Sequence, residues 1–189
     1  MMDMKNIEFN NELFAATTYG VSSAKPKVAQ LADPFLVLAG QGATIGVETC
    51  DEIPLFFACD GVLGAAKIRL EDAVDESFRD RFHAAKTQYN LNPENIVVYM
   101  GPCLTFSHTH VERSLMDQLM DRGYRAACKR TDGVDFLDVP VMVLQQLREL
   151  GVKMENIHIS DYDTYENPTL LHSHLRGDTE CNVTVASLK

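Results

Sequence analysis

The sequence predicts an α+β fold, a layered sandwich of mixed β-sheets flanked by helices. Three observations predict it. Short apolar runs rich in β-branched and aromatic residues crowd the first third of the chain. A helical period of three and four takes over near residue 71, and strands and helices mix from there onward. With 189 residues, a single domain over 1–189 is expected. A chain of that length buries roughly 70% of its unfolded surface.

Taken in order, strands are expected at 13–18, 35–39, 43–48, 54–59 and 62–68. Gly40-Gln41-Gly42 and Asp60-Gly61 between them are turn signals, so this half reads as consecutive hairpins. From Glu71 to Asn90, the residues Val74, Phe78, Phe82 and Ala85 recur at three and four. That spacing predicts one amphipathic helix, with Glu71 and Asp72 at its electropositive start. Asn92-Pro93-Glu94-Asn95 stops it, and 96–100 is a compact apolar strand. A second helix over 111–122 closes on Gly123, since glycine accepts the left-handed conformation past a helix end. A third starts after Asp138 as N-cap and carries Pro140 in its first turn, where the missing N–H costs nothing. It ends at Gly151, and 156–160 and 183–187 complete the strands.

Composition narrows the function classes. The formal charge is −10, which opposes a nucleic-acid or anionic-membrane partner, because either requires a basic patch. The longest apolar runs fall far short of the roughly 20 residues of a membrane span. The opening MMDMKN has no hydrophobic signal region, so a cytoplasmic location is expected. Five cysteines, Cys50, Cys59, Cys103, Cys128 and Cys181, are odd in number, widely spaced and free of a CxxC pair. They read as reduced thiols.

The stretch 163–178, DTYENPTLLHSHLRGD, carries the densest chemistry. An Asn-Pro turn precedes His172 and His174, then Arg176 and a Gly-Asp turn, which suits a binding loop. The alternate histidines would share a face of an extended segment and could hold a metal, yet two ligands without a third favour ordinary hydrogen bonding. His108 and His110, after Gly101-Pro102-Cys103, repeat the pattern. Cys103 and Cys50 are candidate nucleophiles, although carboxylates beside Cys50 would raise its pKa and blunt it. Thr49-Cys50-Asp51-Glu52 is a polar step between apolar strands. Lys67 follows small residues, an odd place for a solvated lysine, so it stands either at a sheet edge in water or in a site facing an acid.

These features in colinear order resemble the multi-copper polyphenol oxidase (laccase-domain) family, whose members are also described as purine nucleoside phosphorylases. Residues 14–22, FAATTYGVS, are similar to its Ser-Thr-Arg-x-Gly-Gly-Val-Ser opening. Ala32-Asp33 and 45–54 resemble its Ala-Asp-Ala and Thr-Ala-Asp-Cys-x-Pro segments, and Gly101-Pro102-Cys103-Leu104 its Gly-Pro-x-Ile. Leu137-Asp138 with Gln146-Leu147 matches its Leu-Asp helix, and 163–176 its Thr-Tyr-x-Asn-Pro loop. The resemblance implies the family fold, a purine-nucleoside pocket, and zinc as cofactor. It also makes Tyr165, Asn167, Ser173 and Arg176 ligand-binding candidates, with Arg176 first for an anion contact because guanidinium can clamp phosphate with two bonds. In that order His172 and His174 fall away as metal ligands.

The departures carry more weight. Family zinc is implied to sit on a histidine of Gln-Val-His, the cysteine of Thr-Ala-Asp-Cys, and the histidine opening His-Ala-Gly-Trp-Arg-Gly. The first has no counterpart, since Ser22 reaches Ala32 in about ten residues, and the N-terminal part reads as shortened. Glu52 stands at the cysteine position and Lys67 at the second histidine. The expectation is therefore no bound metal or other cofactor, and an ion pair between Glu52 and Lys67 in place of zinc. Two functions follow. One is a divergent member without the family's catalysis that keeps a purine-nucleoside or other small-molecule pocket, with a second copy or a full-length relative as partner. The other is a metal-independent enzyme, of phosphorylase or deaminase type, using Glu52, Lys67, His108 and His174 as catalytic groups and Arg176 on an anion. A purely structural or oligomerisation role finds no specific support in the acidic composition.

Overall fold

The computed structural model describes residues 6–21, 34–40 and 42–189. Its strands are β1 (Ile7–Asn10), β2 (Phe14–Tyr19), β3 (Phe35–Ala39), β4 (Thr44–Thr49), β5 (Ile53–Cys59) and β6 (Val62–Ile68). After helices α1 (Leu70–Val74) and α2 (Ser77–Gln88) come β7 (Val97–Met100), α3 (Arg113–Asp121), β8 (Cys128–Thr131), β9 (Val134–Leu137), α4 (Val139–Glu149), β10 (Ile157–Ile159) and β11 (Asn182–Leu188). One sheet has the order β1-β2-β11-β4 and is antiparallel throughout. The larger sheet, β10-β7-β5-β6-β3, is mixed, because β10 joins β7 in parallel. The expected α+β sandwich is therefore present.

Burial shows how the layers stack. Every side chain of β5 is buried, as a strand covered on both faces requires. Its alternate residues divide between two apolar clusters. Ile53, Leu55, Phe57 and Cys59 pack with Phe78, Phe82, Met142 and Leu147 of the helices. Phe56 and Ala58 pack with Phe14, Ile45, Val47 and Ala186 of the smaller sheet. The small residues of β6 have a packing reason: a Cβ on Gly64 would stand 2.0 Å from the Phe57 ring. At this position glycine lets a large aromatic side chain lie across the neighbouring strand.

Several expectations need correction. The β5–β6 turn is a hairpin, with Asp60 and Gly61 at φ 49° and 77°. β3 and β4, in contrast, do not pair: β3 is an edge of the larger sheet beside β6, and β4 pairs with β11 in the smaller one. Gly40 and Gly42, at φ 115° and 77°, carry the chain between layers instead of turning it back. The single helix expected over 71–90 is two, broken at Asp75-Glu76. Glu76 adopts φ 64°, and its carboxylate bonds Arg79, Arg122 and Tyr124. Tertiary partners just past the end of α3 thus outweigh local helix propensity. β1 and the β8–β9 hairpin are absent from the sequence reading: each strand has only four residues, and β1 and β8 are largely exposed. The α4 reading holds, with Asp138 accepting from Val141 N at 3.1 Å and Gly151 at φ 94°. The shortened stretch 22–32 and Asp33 lie outside the described residues. Among the described residues, no helix is long and apolar enough to cross a membrane.

Candidate functional site

The step between β4 and β5 is the centre of the site. β4 leaves the smaller sheet at Thr49 and β5 enters the larger at Ile53, so Cys50, Asp51 and Glu52 bridge the layers. Glu52 folds its carboxylate back to accept from the N–H groups of Cys50 (2.9 Å) and Asp51 (3.3 Å). Its other oxygen meets Lys67 Nζ at 3.0 Å. The expected ion pair is present, formed because Pro54 and Lys67 are directly opposed across the β5–β6 ladder. Burial pushes the Glu52 carboxyl up, but the Cys50 N–H and the Lys67 ammonium together hold it below the usual range. Both oxygens of this carboxylate are thus engaged, one by the two N–H groups and the other by the ammonium.

Asp51 ties this step to the C-terminal loop. Thr164 Oγ1 donates to Asp51 Oδ1 at 2.7 Å, and the Leu175 N–H to Oδ2 at 2.9 Å. Asp163 organises the loop's other side. Its carboxylate accepts from Thr105 N and Oγ1, both at 2.7 Å, from Tyr165 N at 2.7 Å and from Glu166 N at 3.0 Å. Burial opposes the charge on Asp163, yet these donors and the nearby His108 keep its carboxyl below the usual range. His108 stands between Asp163 (3.5 Å) and Glu166 (3.1 Å), with its ring 4.4 Å from that of Tyr165. Asp51, Glu52, Arg69, Glu71, His108 and His110 are among the residues lining a cleft of about 400 Å³.

The loop candidates divide sharply. Arg176 donates to the carbonyls of Thr164 and Tyr165 (both 2.8 Å) and Leu171 (2.6 Å), and bonds the Asp178 carboxylate. Its guanidinium closes the loop on itself, where an anion contact had been expected. Asn167 Nδ2 donates to Asp163 O at 2.8 Å, and buried Ser173 accepts from Arg176 N. Tyr165 is exposed, with its ring against that of His108. His110 packs edge-on to Phe136, and His172 faces Glu180 at 3.6 Å.

His174 lies with other partners. Cys50 and Cys181 are joined by a disulfide, Cα to Cα 4.4 Å, which corrects the expectation of five reduced thiols. The β4–β11 register pairs Thr49 with Asn182, so the next pair outward is Cys50 against Cys181. Sequence separation hid this, and only the register could reveal it. His174 Nε2 stands 3.6 Å from Cys181 Sγ. Cys103, the other nucleophile candidate, is buried, and burial followed by Asp163, Asp138 and Asp51 pushes its thiol up. Cys59 is pushed up to about 12 by burial and then by Asp60.

The family of multi-copper polyphenol oxidoreductase laccases matches residues 13–186. The chain belongs to this laccase family. Solved structures share its fold: Bacillus licheniformis hypothetical protein YfiH superimposes with a TM-score of 0.73 at 15% identity, covering 90% of this chain and 73% of that one. YlmD from Geobacillus stearothermophilus gives 0.70 at 20% identity over 82% and 61%, and a Neisseria meningitidis protein 0.65 at 20% over 77% and 60%. The chain thus spans about three-fifths of the length of the last two. No curated protein sequence matches it.

Proposed function

We propose that this laccase-domain protein lacks the family's zinc ligands, does not perform the family's catalysis, and retains a pocket for a purine nucleoside or a similar neutral small molecule. The Glu52–Lys67 pair at 3.0 Å carries this reading, because it fills the two positions where the family resemblance expects cysteine and histidine. The cleft of about 400 Å³ is within the usual size range of small-molecule sites. Asp51, Glu52 and Glu71 line it against Arg69, and Arg69 is paired with Asp72. That balance disfavours a phosphate and suits an uncharged ligand.

One observation favours a second reading. His108, held between Asp163 and Glu166 at the cleft, has the neighbours of a general acid–base and would suit metal-free deamination better than phosphorolysis. Adenosine and inosine, each with and without phosphate, should be incubated with the purified chain, and products followed by chromatography alongside saturation-transfer NMR. The expected result is nucleoside binding without base release or deamination. Zinc-dependent base release above a Glu52→Ala control would overturn the proposal. Metal-free deamination abolished by His108→Ala would establish the second reading in its place, and absence of binding would remove the pocket from both.

A further inference from the structure

We propose that Cys50, Cys181 and His174 form a zinc site of this chain's own in the reduced protein, and that the Cys50–Cys181 disulfide is its oxidised, metal-free form. The three ligand atoms lie within 4.8 Å of one another. A tetrahedral zinc with Zn–S near 2.3 Å and Zn–N near 2.0 Å spaces its ligand atoms roughly 3.4–3.8 Å apart. The His174 Nε2 to Cys181 Sγ distance of 3.6 Å already meets that spacing. Only the two sulfurs must separate, and Cys181 sits in irregular backbone one residue ahead of β11, just past the last ladder pair, Thr49 with Asn182. Two thiolates and an imidazole are soft to borderline donors that select zinc over calcium or magnesium. A water completes the fourth position beside the exposed His174.

The site uses side chains other than those of the Glu52–Lys67 pair and touches it through the Cys50 N–H that Glu52 accepts. The cleft that Glu52 lines includes none of the three ligands. Both forms accomplish the same structural task, fastening the end of β4 to the chain entering β11. Conversion is balanced with a dithiol as reductant. Its two S–H groups become a cyclic disulfide while the Cys50–Cys181 bond becomes two thiols. Zinc then binds both sulfurs and releases two protons to solvent. In a reducing compartment, where a disulfide does not persist, zinc preserves the fastening.

The test uses the full chain, reduced with a dithiol, desalted without oxygen and titrated with cobalt(II), then zinc. One equivalent of cobalt should give thiolate-to-metal charge-transfer absorption and tetrahedral visible bands, both erased by zinc. The unreduced protein should give neither. Cys181→Ser should abolish the charge-transfer signal, and His174→Ala should weaken cobalt binding at least tenfold. A triple Cys59→Ser, Cys103→Ser, Cys128→Ser variant should retain the signal, which excludes the remaining thiols. Absence of charge transfer in the reduced wild type, its survival in Cys181→Ser, or indifference to His174→Ala would each overturn the assignment. The readout involves no nucleoside, so its failure leaves the proposed pocket standing.

Discussion

Cys50 and Glu52 stand two residues apart on one turn, yet the fold gives them opposite surroundings. Cys50 continues the β4–β11 ladder and faces Cys181 and His174 from the C-terminal segment. Glu52 leads into the β5–β6 ladder and faces Lys67. The first position is a covalent or metal fastening, the second an ion pair. The difference teaches that where a strand crosses between layers, neighbouring residues in sequence answer to different sheets.

The largest effect expected from breaking this arrangement is at the fastening. Cys181→Ser in oxidising buffer should lose about 2–4 kcal/mol, as removal of a long-range disulfide does. The same substitution in metal-free reducing buffer should change chemical-denaturation stability little. Equal losses in both buffers would show that the sulfur acts through packing. The middle effect is at Asp51, between the two. Asp51→Ala strands Thr164 Oγ1 and the Leu175 N–H, and should cost about 1–3 kcal/mol, with faster hydrogen exchange confined to the 163–178 loop. Unchanged exchange there would disconnect turn from loop.

The smallest effect is expected at the ion pair. Both side chains are partly exposed, 33% for Lys67 and 27% for Glu52. Lys67→Met should therefore cost about 1 kcal/mol, nearer to surface than to fully buried pairs. Glu52→Gln with Lys67→Met should recover most of that loss. The pH dependence has a definite sign. The folded Glu52 carboxyl lies below its ordinary 4.5, so its stabilisation is complete above pH 4.5 and fades as pH falls through the lowered folded value. The double variant should show a shallower acid loss in a thermal melt series than the wild type.

Much of this was legible beforehand. Alternating and continuous apolar runs identify β2 to β6, because burial on one or two faces writes itself into sequence at period two. Asp138, Pro140 and Gly151 marked both ends of α4, since caps are local chemistry. The Glu52–Lys67 pair could be expected from aligned motifs. Arg176, by contrast, read as an anion contact and proves to brace its own loop, because a sequence cannot show which carbonyls a guanidinium will find. The helix break at Glu76 was equally invisible, as it depends on Arg122 and Tyr124, both distant in sequence.

By itself, then, the sequence determined the layered α+β class, most strand and helix positions, and the family to which the chain belongs. Those depend on periodicity, caps and ordered motifs, all of which act over a few residues or repeat along the chain. Only the tertiary structure decided that β3 and β4 part into different sheets and that Cys181 and His174 converge on Cys50. Such meetings follow from strand register between segments 131 residues apart, and register is set by the burial of whole faces, which no local pattern records.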